Sequence, residues 1–184
     1  VHAEPPLAVQ RVDSLMLNLD QLYTLLLNEQ GTWQISLAGA QWLHISGITP
    51  AVSRLAAESA LAAVQTARHA GATVSCDLNF RKKLWNWDPT QKPQALAEAT
   101  MRGLLKFVDV VIANEEDCGD VLRIRAGASD VHAGKLEIDR YADVARQVVS
   151  QFPQVSLVAI TLRESISASH NNWGAMLYVA KDNQ

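Results

Sequence analysis

The chain has 184 residues, 48% of them hydrophobic and 19% charged, with a net charge of -3 at pH 7. That length suffices for one domain with a sizeable core, and the charge leaves no electrostatic footprint for nucleic acid or an anionic membrane. No stretch approaches the ~20 apolar residues of a membrane helix, the start lacks a basic-then-apolar signal pattern, and Cys76 and Cys118 match no zinc spacing. These features predict a cytoplasmic protein with two buried thiols.

Residues 1–40 read as an atypical N-terminal segment, distinct from an α/β core over 41–184. Val1 to Arg11, with Pro5-Pro6, reads as extended. Leu15 to Leu27 is ambiguous between helix and strand, Asn28 to Gly31 is a turn signal, and Thr32 to Ser36 suits a short strand. Leu43 to Ser46 is then a short apolar strand. Thr49 and Pro50 read as an N-cap and a first-turn proline. Ala56, Ala60, Ala63 and Ala67 line one helix face that Gly71 ends. Thr73 to Leu78 is the next strand, and Gln91 to Phe107 the next helix, with Leu96, Ala99, Gly103 or Leu104, and Phe107 turned inward.

Val108 to Ala113 is a nearly continuous apolar run, as in a strand buried on both faces. Asn114 starts a short helix, and Ala126 to Lys135 reads as a polar loop. Asp139 to Phe152 is amphipathic, with Tyr141, Val144, Ala145, Val148 and Phe152 inward. Val155 to Thr161 and Trp173 to Val179 complete the strands. Strands alternating with helices predict an α/β fold, a parallel sheet with helices on both faces.

In such sheets ligands sit beyond the carboxyl ends of the strands, so the polar residues there carry the functional reading. Asp77, Asn79 and Arg81 follow one strand and would share a side if it continued. A guanidinium there can grip a carboxylate or phosphate bidentately; the blander reading is a solvated loop with an Asp77–Arg81 ion pair. Asn114-Glu115-Glu116-Asp117 follows the next strand. It suits either a capped helix start or carboxylates that hold water around a divalent cation beside phosphates. Thr161 to Ile166 leaves a third strand, and otherwise reads as a surface loop with an Arg163–Glu164 pair. Ser167, Ser169, His170 and Asn171 read as turn residues, and His44 as a satisfied core histidine. There is no G-x-G-x-x-G, P-loop, nucleophile elbow or H-E-x-x-H.

Four ordered segments together resemble the ribokinase-like (PfkB) sugar kinases, particularly the bacterial 2-keto-3-deoxygluconate kinases. They are Leu43 to Pro50, Asp77 to Arg81 with Lys82-Lys83-Leu84-Trp85, Ile112 to Asp117, and Ala159 to Glu164. The likeness runs from about Trp42 to Tyr178. It implies an ATP-dependent sugar kinase that uses Mg²⁺. Gly47 and Ile48 would border the sugar-acid pocket, and Arg81 would contact the substrate near the nucleotide phosphates, with Asn79 and Phe80 beside it. Asn114 and Asp117 would fill the ends of the N-x-x-E motif that supports magnesium and phosphate. Thr161, Leu162, Arg163, Glu164, Ser165 and Ile166 would lie along the nucleotide.

The chain departs from the pattern in four places. Asp117 stands where glutamate is usual, and Arg163 where many relatives have glycine. The glycine-rich N-terminal substrate segment is absent. So is the G-A-G-D motif with the catalytic aspartate and anion hole, which is expected beyond Gln184. No catalytic base is therefore assigned within these residues, and the chain alone is expected to be inactive, because phosphoryl transfer depends on positioning and charge stabilisation. The partners expected are a sugar acid and ATP, with no nucleic acid or membrane; a homo-oligomer stays open. The alternatives are a non-catalytic α/β remnant that binds a ligand or partner, and a kinase for another sugar.

Overall fold

The computed structural model describes residues 15–16, 40–125, 135–165 and 171–182. The readings for 1–11, 28–31 and 32–36, the loop from 126 to 134, and Ile166, Ser167, Ser169 and His170 lie outside them. The elements are β1 (Leu15–Met16), β2 (Trp42–Ser46), α1 (Ile48–Ala51), α2 (Arg54–His69), β3 (Thr73–Asp77) and α3 (Pro93–Leu105). After these come β4 (Val110–Ala113), α4 (Glu115–Leu122), α5 (Lys135–Gln151), β5 (Leu157–Ser165), β6 (Asn171–Val179) and a 3₁₀ turn at Ala180–Asp182.

The six strands lie in chain order in one sheet. β1 to β5 pair in parallel, and β6 runs antiparallel to β5. This is the mostly parallel α/β architecture that the alternation of strands and helices predicts. Residues in register share a face, and the row Leu43, Val74 with Ile45, Cys76, then Val111, Val158, Tyr178 is fully buried. It merges into one core with the inward residues of α2 to α5. The other face carries half-exposed residues such as His44, Ile112 and Ala159, and Leu177 is 58% exposed there.

Local chemistry explains most boundaries. Ser53 caps α2 by accepting from the Ala56 N–H at 3.0 Å. The helix ends in a Schellman turn, with Gly71 at φ +79°, its N–H on the Arg68 carbonyl and the Ala72 N–H on the Ala67 carbonyl. The stripe Ala56, Ala60, Ala63 and Ala67 is buried, as its spacing predicts. Both cysteines are free and buried.

Four expectations are corrected. Thr49 is not a cap: α1 starts at Ile48 after Gly47, Thr49 and Pro50 are buried inside it, and the long helix starts separately behind Ser53. α3 begins at Pro93, and its inner residues are Leu96, Ala97, Met101, Leu104 and Leu105, while Ala99 is exposed. Lys135 opens α5 instead of closing a loop. Thr161 to Ser165 continue β5, and Asn171 starts β6, so the two strands form a long antiparallel pair.

The tightest constraint lies where β2 ends. The Gly47 N–H donates to the Asp77 carbonyl at 2.7 Å, and a Cβ at Gly47 would stand 2.0 Å from the Leu78 carbonyl oxygen. The obstacle is backbone, which cannot swing aside. Gly47→Ala is therefore expected to destabilise the fold by about 1–3 kcal/mol, the usual range for overpacking, seen as a lower urea midpoint at unchanged slope. An unchanged midpoint would contradict the close approach.

Candidate functional site

The carboxyl ends of β2, β3 and β4 are neighbours, because Ser46 pairs with Asp77 and Asp77 with Ile112. Thr161 of β5 joins them, its hydroxyl 3.4 Å from the Ala113 carbonyl. The sheet thus brings Gly47, Ile48, Asp77, Asn79, Phe80, Arg81, Asn114, Asp117 and Thr161 to one edge. Leu162 to Ser165 run away from that edge along the β5–β6 pair.

The chain leaves β3 at Asp77 and turns at once. Asn79 has φ +36°, a region that Asn enters more readily than most residues. The strand does not continue through Arg81, so Asp77, Asn79 and Arg81 do not share a side by strand alternation. Instead the Asn79 N–H donates to Asp77 Oδ1 at 3.1 Å, and Asn79 Nδ2 donates to Ser46 Oγ at 3.2 Å. Ser46 Oγ also takes the Ile48 N–H at 3.3 Å. It therefore joins the β2 and β3 ends. Sequence reasoning missed Ser46 as a site residue, since a serine at a strand end carries no distinctive spacing.

The next amide goes to a different carboxylate: the Phe80 N–H donates to Asp117 Oδ1 at 3.3 Å. Asp117 sits in the first turn of α4, where Asn114 Oδ1 accepts the Asp117 N–H at 2.7 Å. The helix-cap reading of Asn114 is therefore realised. Asp117 is only 8% exposed. Burial, more than any neighbour, pushes its carboxyl from the ordinary 3.8 up to about 6; the Phe80 N–H and Arg81 oppose this, while Asp77 and Glu116 add to it. Asp77 is raised as well, by burial, against the Asn79 N–H, His44 and Arg81.

Arg81 is exposed, with Lys82 and Lys83. Its Nη1 donates to the Phe80 carbonyl at 3.2 Å, and no Asp77–Arg81 ion pair forms among the described residues. Beyond it the loop is pinned again. Trp85 is buried in the core, the Trp87 indole donates to the Pro50 carbonyl at 3.2 Å, and Arg54 stacks on Trp87 at 5.3 Å. A basic tip thus stands on a loop held at both ends. His44 is satisfied by Ser75, its Nδ1 2.8 Å from the hydroxyl.

A cleft of about 270 Å³ opens beside the start of α4, lined by Glu115, Glu116, Arg125 and Arg140. Both of its arginines are engaged, Arg140 with Glu115 at 2.9 Å and Arg125 with Asp120 at 3.7 Å, so it offers an anion no unpaired positive charge. Among the described residues no group of three or more His, Cys, Asp or Glu could hold a metal ion, and no helix is long and apolar enough to cross a membrane.

No family model matches the chain. The solved 2-dehydro-3-deoxygluconokinase of Thermotoga maritima matches 80% of it at 38% identity with a TM-score of 0.67, over 40% of that enzyme. A PfkB family carbohydrate kinase of Listeria grayi matches 78% of it at 27% identity, TM-score 0.62, over 39% of that chain. The segment is PfkB-like in fold and in sequence. The 2-dehydro-3-deoxygalactonokinase of Haloferax volcanii is 39% identical over 85 residues, 46% of this chain and 24% of that protein. The chain therefore spans well under half the length of these PfkB-type relatives.

The raised Asp117 carboxyl has a measurable consequence. The folded state holds a proton there at pH values where the unfolded chain has released it, so this group adds stability at low pH and loses that contribution as pH rises from about 4 to about 6. Asp117→Asn cannot titrate. Wild type is expected to lose stability relative to this variant across that window, in urea denaturation at a series of pH values. Parallel profiles would contradict burial as the cause.

Proposed function

We propose that this chain forms part of an ATP-dependent kinase that phosphorylates 2-keto-3-deoxygluconate or a related sugar acid. The observation that carries the reading is an exposed arginine on a loop fixed at the carboxyl edge of a PfkB-like sheet. The 38% identity with a 2-dehydro-3-deoxygluconokinase supports it. Arg81 grips the sugar-acid carboxylate or a phosphate, where a planar two-pronged donor is favoured over a lysine. Gly47 and Ile48 border the sugar, where β2 ends beside the backbone leaving β3. Asn79, Phe80 and the run from Thr161 through Leu162, Arg163, Glu164 and Ser165 to Ile166 serve the nucleotide.

Asn114 and Asp117 support the phosphate and magnesium environment. The donor set suits Mg²⁺ held chiefly by phosphates and water, which needs only one or two protein carboxylates; bound there, Mg²⁺ would neutralise charge on the transferring phosphoryl group. Within the described site, Asp77 and Asp117 each spend an oxygen on a backbone amide, so neither is assigned as the base for the sugar hydroxyl. ATP as donor puts the reaction in the cytoplasm.

The test is made on the complete reading frame containing this chain. ATP-dependent phosphorylation of 2-keto-3-deoxygluconate is followed by ADP release, with sugar-acid affinity measured by titration calorimetry. Arg81→Ala is expected to weaken sugar-acid binding at least about tenfold, as for loss of a charge-assisted pair. Unchanged affinity would sink the role of Arg81. Binding without ADP release would favour a non-catalytic ligand-binding module, and activity only on another sugar would move the substrate.

A further inference from the structure

We propose that Asp117 is a positioning residue for Arg81, acting through the main chain of Phe80. This deepens the kinase reading and rests on it for the ligand, though not for the geometry. Phe80 is held on both sides: its N–H donates to Asp117 Oδ1 at 3.3 Å, and its carbonyl accepts from Arg81 Nη1 at 3.2 Å. A continuous path therefore runs from the first turn of α4, through one residue, to the guanidinium.

Both ends of the path are constrained differently. Asp117 cannot wander, because it is buried and its own N–H is tied to Asn114 Oδ1 at 2.7 Å. Its charge faces the positive end of α4, which favours the carboxylate. Arg81 is exposed; among the described residues its hydrogen bond goes to the Phe80 carbonyl, while Asp77 and Asp117 act on it through charge alone, so its direction follows that of the Phe80 carbonyl. The preceding residue makes the hold necessary. Asn79 occupies a sparsely populated backbone region, which persists only where surrounding contacts impose it. Asp77 fixes the Asn79 amide and Asp117 the Phe80 amide, so two carboxylates from separate elements take successive N–H groups.

Those two bonds also decide what the loop can offer a ligand. Consecutive amides beside a left-handed residue often form an anion-binding nest. Here internal carboxylates already occupy them. An incoming carboxylate or phosphate must be met by the Arg81 side chain, whose aim then matters more than the loop's backbone.

Two readouts test this, one independent of any ligand. In wild type the Phe80 amide belongs to no helix or strand, yet it should be protected from hydrogen exchange. Asp117→Ala should speed its exchange by about tenfold or more, the loss expected of a bond to a charged group, while amides in α2 keep their protection. Asp117→Asn retains an acceptor and should restore most of it; this isosteric variant serves where the alanine variant does not fold. An unprotected Phe80 amide in wild type, or one indifferent to both variants, overturns the proposal. The second readout is a double-mutant cycle on affinity for 2-keto-3-deoxygluconate in the complete frame. Asp117→Ala should weaken binding in wild type and add nothing in Arg81→Ala. Effects that multiply would mean Asp117 acts independently of Arg81, and would overturn it too. Absence of any sugar-acid binding would sink the kinase reading alone, since the exchange experiment still decides the positioning role.

Discussion

The close approach of Gly47 to the Leu78 carbonyl governs the geometry of this edge. A missing side chain lets the end of β2 press on the backbone leaving β3, with the Gly47 N–H closing onto Asp77 at 2.7 Å. From that contact follow the one-turn helix α1, the burial of Thr49 and Pro50, and the reach of Ser46 to both Ile48 and Asn79. A larger residue at position 47 would separate the two strand ends that supply the site.

The loop from Leu78 to Trp87 then behaves as a span between two anchors of different chemistry. At one end the anchor is polar: two carboxylates, one well buried, accept amides and are themselves raised by burial. At the other it is aromatic. Trp85 fills the core, with its indole N–H unpartnered among the described residues, so apolar burial has to outweigh an unmade hydrogen bond. Trp87 lies between Pro50 and Arg54. The tip, Arg81 to Lys83, is left to solvent, as is the uncharged Asn86 between the two tryptophans. That division puts positive charge where a ligand can reach it and keeps negative charge behind it.

Much of this was legible in the residues, for identifiable reasons. The apolar runs of β2 to β5 alternate with helical stripes, and Asn114 announces its cap because an Asn before acidic residues suits a helix start. The four ordered motifs gave the family likeness, which the solved relatives bear out. What was not legible depends on contacts distant in sequence. Thr49-Pro50 imitates a helix start, yet Ser53 makes the bond that opens α2. Strand alternation could not foresee the left-handed Asn79, whose conformation is fixed by Ser46, thirty-three positions away. Asp117 read as a first-turn acid or a carboxylate beside a cation, and only the packing of β3 against β4 brings it to Phe80. Thr161 to Ser165 read as a loop because the polar run hides the antiparallel partner that extends β5.

The central claim is that Arg81, held at the end of the Asn79–Arg81 turn, forms the sugar-acid site with Gly47 and Ile48. Amide chemical-shift mapping during titration with 2-keto-3-deoxygluconate tests it most directly. The account predicts that shifts concentrate at residues 46–48 and 78–82 and at the Arg81 side chain, and leave the Arg140–Glu115 cleft unmoved. Shifts centred on Glu115, Glu116, Arg125 and Arg140, with the Asn79–Arg81 turn silent, would contradict it.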